Sequence, residues 1–73
     1  MLTDASAHLL NILQVNTEST DTGPDGRWGI VYLDNAVPRG WSKHQFAGHL
    51  SDLKKAGLYK QIDGDFGRVK LED

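Results

Sequence analysis

Hydrogen-bonding side chains are concentrated at residues 42–51, where the sequence reads SKHQFAGHLS. A lysine ammonium can donate to guanine or phosphate, a glutamine amide can pair with adenine, and a histidine donates or accepts according to its proton. On one helix face, such groups can read base edges in a major groove. The candidate base-reading residues are Lys43, His44, Gln45, Gly48 and Ser51.

Gly48 belongs to this set because of its backbone. Glycine inside a helix is about 1 kcal/mol less favourable than alanine, and such a residue is understandable where another surface approaches the helix closely. That surface is either a nucleic acid or a neighbouring element of the same chain, and both interpretations stay open from the sequence.

Basic residues on either side of this segment are candidates for phosphate contacts. Ser42 and the N–H groups of the helix start add donors that favour anions. Arg68 lies in an expected hairpin and belongs to this set as a basic side chain. For any single lysine, an ordinary solvated position is the alternative. The phosphate candidates are Arg39, Ser42, Lys54, Lys55, Lys60, Arg68 and Lys70.

Catalytic and metal-binding chemistry finds little support in the sequence. Serine, histidine and aspartate are present, but a Gly-x-Ser-x-Gly elbow and a phosphate-binding glycine loop are not. The run Asp63-Gly64-Asp65-Phe66-Gly67 is typical of a turn, and the chain has no cysteine to bind a metal. We therefore predict no catalytic residues, no metal and no cofactor.

The charge of the chain is unevenly distributed. Its 8 basic and 10 acidic residues give a formal charge of −2. Residues 1–38 contain five acids and one base, whereas residues 39–70 contain seven bases and three acids. A local basic surface of this kind steers a domain towards phosphate even where the whole chain is acidic.

A chain of 73 residues forms one small domain, here 1–73. No apolar stretch approaches the roughly 18 residues of a membrane span, and the start MLTDASAHLL lacks the basic residues of a secretion signal. We expect a soluble cytoplasmic protein without membrane contact. Because so small a core has little stability to spare, a homodimer or a protein partner is an expected additional source of stability.

The first half of the chain predicts a core helix and a strand. Residues 4–15 have an apolar stripe at helical spacing, with Thr3 as N-cap. Residues 16–27 lack apolar side chains and contain turn-forming residues, which indicates a flexible surface loop. The run WGIVYL at 28–33 predicts a short strand, with Ile30 and Tyr32 towards the core.

The second half predicts a capped helix and a hairpin. Pro38 limits any helix begun at residue 34 to one turn. Ser42 then caps a helix that Gly57 ends, with Phe46, His49, Leu50 and Leu53 on its apolar face. Residues 58–71 predict two strands around a mobile tip at 63–67. The expected inner face of this hairpin consists of Leu58, Ile62, Val69 and Leu71.

The stretch WSKHQFAGHLSDLKKAGLY at 41–59 resembles the recognition helix and following strand of winged helix-turn-helix repressors of the arsenic-repressor and multiple-antibiotic-resistance-repressor type. The resemblance implies a small α+β domain with a core helix, a short strand, a recognition helix and a C-terminal β-hairpin wing. Residues 34–40, DNAVPRG, are shorter than the family's helix before the turn, and metal-sensing cysteines are missing.

Two functions follow as hypotheses. The resemblance and the basic segment favour a duplex-DNA-binding protein that regulates transcription. The overall acidity and the shortened second helix favour instead a protein-interaction module of winged-helix shape, which binds a nucleic-acid-processing enzyme or a repressor, because a fold does not by itself determine function.

Overall fold

The computed structural model describes residues 2–24 and 26–72, and each of its two α-helices is followed by a pair of strands. The elements are α1 (Asp4–Val15), β1 (Ser19–Gly23), β2 (Gly26–Tyr32), a single 3-10 turn (Leu33–Asn35), α2 (Lys43–Lys55), β3 (Tyr59–Gln61) and β4 (Phe66–Glu72). The four strands form one antiparallel sheet in the order β1-β2-β4-β3. Both helices pack on the same face of this sheet.

Local capping chemistry confirms the predicted limits of both helices. Thr3 Oγ1 accepts the N–H of Ser6 at 3.1 Å at the start of α1. Ser42 and Gln45 form a reciprocal capping box at the start of α2. Gly57 follows α2 with a φ of +76°, a conformation that a side chain would strain. Short-range signals therefore determine where these helices begin and end.

The core lies between the helices and the inner face of the sheet. Leu9 and Leu13 of α1 meet the predicted apolar face of α2 there. Strands β2, β3 and β4 each contribute one residue to this core, namely Val31, Tyr59 and Val69. Ile12 of α1 packs at the edge of this core and is partly buried.

The predicted inner face of β2 was wrong. Val31 is buried in the core, whereas Ile30 and Tyr32 lie on the opposite face, where Tyr32 is 40% exposed. Both alternating sets of WGIVYL are largely apolar, so alternation alone does not choose between them. The side chains of Thr17 and Leu71 lie against Gly29 and leave no room for a Cβ there, which places the larger side chains of β2 on the other face.

Strand β1 replaces part of the loop expected at 16–27. Its side chains are all exposed, and it is held by pairing with β2 from Ser19↔Ile30 to Gly23↔Gly26. A polar strand with neither face buried lacks the apolar alternation on which strand prediction depends. Its formation reflects backbone pairing with β2, which the sequence pattern does not reveal.

The C-terminal hairpin is confirmed, with a different inner face. Tyr59 is buried, whereas Ile62 lies beyond the end of β3 and is 53% exposed. The Tyr59 ring lies over Gly67, where an added Cβ would overlap the ring and its hydroxyl. The Tyr59 O–H donates to Gln61 Oε1 at 2.9 Å. A glycine on β4 therefore provides the space for the aromatic side chain of β3.

The α+β class is confirmed. The sheet order β2-β4-β3, with α2 between β2 and β3 in sequence, is compatible with a winged-helix-like domain. The single turn Leu33–Asn35 stands where that fold has its second helix, and β1 adds an outer strand.

Candidate nucleic-acid interface

One line of residues along α2 points away from the core. His44, Gly48, Ser51 and Lys55 follow each other at four- and three-residue spacing, which places them on one helix face. His44, Gly48 and Lys55 are exposed and Ser51 is half-buried. We call these four residues the outer stripe. The structure thus brings three predicted base-reading residues and one predicted phosphate residue together on a single surface.

Three further predicted residues flank this stripe. Lys43 and Lys54 are exposed at the two ends of α2. Arg39 is also exposed, in the turn that precedes the helix, where the Trp41 N–H donates to the Pro38 carbonyl at 3.1 Å. The helix and its approach therefore carry four basic residues that do not contribute to the core.

Gln45 and Ser42 are exposed but already hydrogen-bonded to each other. Gln45 Oε1 accepts the Ser42 N–H at 3.0 Å, and Ser42 Oγ accepts the Gln45 N–H at 3.1 Å. A two-point pairing of Gln45 with adenine needs both its carbonyl oxygen and its amide nitrogen. That pairing would have to open the capping box, so the base-reading role predicted for Gln45 competes with helix stability.

Gly48 is not a packing glycine within this domain. Among the described residues, a Cβ built at Gly48 meets no atom from outside its own stretch of helix within 4 Å. The interpretation in which a neighbouring element of the chain approaches α2 at this point is therefore wrong. Gly48 instead leaves a flat, exposed patch of helix backbone in the middle of the outer stripe.

The other predicted phosphate residues lie on a different surface. Lys60, Arg68 and Lys70 project from β3 and β4 on the sheet face away from the helices. The Lys60 and Lys70 ammonium nitrogens lie 4.8 and 6.0 Å from the centroid of the Trp28 ring. Arg68 Nη2 lies 2.9 Å from Asp21 Oδ2 on β1. The predicted basic site is therefore divided between two faces of the molecule.

Sequence reasoning missed the aromatic residues of this second face. Trp28, Tyr32 and Phe66 lie on it beside the three cations, and the Tyr32 and Phe66 rings are 5.4 Å apart. The alternation Phe66-Arg68-Lys70 on β4 was a signal for an outward aromatic and basic row. It could be used only once the facing of β2 was known.

The two helices are joined by a partly buried polar cluster that the sequence did not predict. Ser6 Oγ is 2.9 Å from His49 Nδ1 and 3.0 Å from Asp52 Oδ2, and Ser6 is fully buried. Since the hydroxyl donates its one hydrogen to Asp52, it accepts from the Nδ1–H of His49. The Trp41 ring packs on His49 with a centroid distance of 5.0 Å.

This cluster differs in geometry from a serine–histidine–aspartate triad. In a triad the carboxylate and the nucleophile use different nitrogens of the ring, whereas here both oxygens lie near His49 Nδ1, with the Asp52 oxygen at 3.7 Å. The buried Ser6 hydroxyl also has no surface at which a substrate could meet it. Its hydrogen bonds fix α1 against α2 and so orient the outer stripe.

The described residues contain neither a cluster of metal-binding side chains nor a helix that could span a membrane. Among residues 2–24 and 26–72, acidic and histidine side chains do not gather in threes or more around a point that could hold a metal ion. In the same ranges, neither helix has the length and apolar character needed to cross a membrane.

Comparison with known proteins assigns the chain to no family. No family model matches it, and neither a curated protein nor a solved structure matches it.

Proposed function

We propose that this protein is a winged-helix-like domain that binds duplex DNA through α2 and regulates transcription in the cytoplasm. The observation that carries the proposal is the outer stripe, a helix face bordered by lysines. Its middle position, Gly48, has no side chain, and no other described element of the domain packs against it. A helix presented in this way suits a major groove, which is about 12 Å wide.

The electrostatics of α2 support the same partner. Its first turn contains Lys43 and His44 and no acidic residue, so the positive end of the helix dipole is not neutralised there. Lys54 and Lys55 occupy the last turn. Lysines at both ends of a helix that lies in a groove can each contact a phosphate, while His44 and Ser51 between them face the base edges.

Substitution of Gly48 by alanine tests this assignment. Alanine stabilises an exposed helix interior relative to glycine, so we expect the free energy of unfolding of Gly48→Ala to rise by up to about 1 kcal/mol. If the helix backbone approaches DNA closely, the added methyl group should weaken duplex binding at the same time. Urea unfolding and fluorescence anisotropy with a labelled duplex measure the two effects on the same protein.

Gly64→Ala is the matched control, since a Cβ at Gly64 also meets no atom within 4 Å but lies in the β3–β4 turn. It should leave duplex affinity unchanged. A Gly48→Ala variant that is more stable and binds duplex as tightly as the unmodified protein would remove α2 from the interface. Duplex affinity weaker than about 100 μM at 50 mM salt, below ordinary non-specific binding, would favour the protein-interaction function instead.

A further inference from the structure

The sheet face away from the helices combines aromatic and basic side chains. Alternation along the paired strands places Trp28, Ile30 and Tyr32 of β2 on this face, next to Phe66, Arg68 and Lys70 of β4. Lys60 of β3 pairs with Arg68 and continues the row. We call these seven residues the open sheet face. It shares no residue with the outer stripe of α2.

Aromatic rings are accessible at one end of this face. Tyr32 is 40% exposed, and its ring is tilted by 43° against that of Phe66, with centroids 5.4 Å apart. In a sheet that packs one face on helices, an aromatic residue on the other face gains little from burial. The Tyr32–Phe66 pair therefore offers an apolar, π-rich surface for a partner.

Cations cover the aromatic ring at the other end. Trp28 is only 5% exposed although it does not belong to the core cluster under the helices, and the Lys60 and Lys70 ammonium groups lie over its ring. Arg68 crosses β2 to reach Asp21 at 2.9 Å. The face thus carries the cationic side chains of Lys60, Arg68 and Lys70 in a row beside the aromatic residues, and such a row suits an anionic partner.

We infer that the open sheet face binds single-stranded nucleic acid. Only an unpaired strand offers exposed base faces and phosphates together, and these match stacking platforms and cations respectively. A base would stack on the Tyr32–Phe66 pair, while the backbone would follow Lys60, Lys70 and Arg68. An acidic peptide would satisfy the cations but has no flat rings for the aromatic pair. This activity goes beyond the proposed duplex binding and uses a separate surface.

Removal of the Tyr32 ring tests the stacking contact. We expect Tyr32→Ala to weaken binding of a labelled oligo(dT) of roughly 12 nucleotides about tenfold, because the variant loses the stacking of one base on an aromatic ring. Tyr32→Phe keeps the ring and should bind like the unmodified protein. Val15→Ala, which shortens another exposed apolar side chain on the helix side, should also leave binding unchanged. Equal affinity of Tyr32→Ala and the unmodified protein would overturn the inference.

The two lysines over Trp28 provide a second, spectroscopic test. In a Trp41→Phe background, Trp28 is the sole tryptophan, and an oligonucleotide that attracts the ammonium groups should change its fluorescence. Lys60→Gln together with Lys70→Gln keeps much of the aliphatic cover but removes the charge, and should weaken oligo(dT) binding. Poly-glutamate that binds as tightly as oligo(dT) would overturn the inference, because it would show an attraction for any polyanion.

The two proposed binding surfaces can be tested independently of each other. Lys54→Ala with Lys55→Ala should weaken duplex binding and leave oligo(dT) binding unchanged. Tyr32→Ala should weaken oligo(dT) binding and leave duplex binding unchanged. Oligo(dT) binding without duplex binding would contradict the proposed function and support the open sheet face. Duplex binding with no measurable oligo(dT) affinity at low salt would contradict the open sheet face alone.

Discussion

At the scale of single residues, Tyr59 shows how one glycine permits a buried polar ring. Its phenol lies over Gly67, donates to Gln61, and is 2% exposed, and burial raises its pKa to about 12. In the unfolded chain the pKa is near 10, so ionisation favours unfolding. The free energy of unfolding should therefore be unaffected by this group below pH 10 and fall between pH 10 and about 12. Urea unfolding across that range, with Tyr59→Phe as the control, measures the effect. A fall of equal size in Tyr59→Phe would exclude Tyr59 as the cause.

At the scale of elements, α2 is held by its apolar face and by the cluster that joins it to α1. Leu50 is 6% exposed within the core, so Leu50→Ala should lower the free energy of unfolding by about 2–5 kcal/mol. A loss of that size is sufficient to unfold much of the population of a domain this small. Thermal unfolding followed by circular dichroism measures it, and Ala47→Ser on the exposed side of α2 is the comparison. A cooperative Leu50→Ala variant with an unchanged Tm would show that α2 is not packed as described.

At the scale of the whole molecule, the division of the basic residues changes the expected salt dependence of duplex binding. If only Arg39, Lys43, Lys54 and Lys55 meet phosphates, the slope of log affinity against log salt should be about −4, whereas a duplex that also engaged Lys60, Arg68 and Lys70 would give about −6. Anisotropy titrations from about 50 to 200 mM salt separate the two values. Lys54→Ala with Lys55→Ala should bring the slope close to about −2. A slope near about −6 that falls in Lys60→Gln would mean that duplex DNA contacts both faces.

Features that depend on neighbours in the chain were predictable from the sequence. Thr3, Ser42 and Gly57 lie within a few residues of the groups that they cap or end, so α1 and α2 were predictable, as was the hairpin from its central turn residues. Their positions relative to one another depend on contacts across the fold. Only the tertiary structure turned Val31 inwards, formed β1 against β2, and left Gly48 without neighbours. It also separated the basic residues into two faces. The helices cover one face of the sheet, so the basic side chains of the strands lie on the opposite face, whereas those of α2 lie on the outer side of the helix.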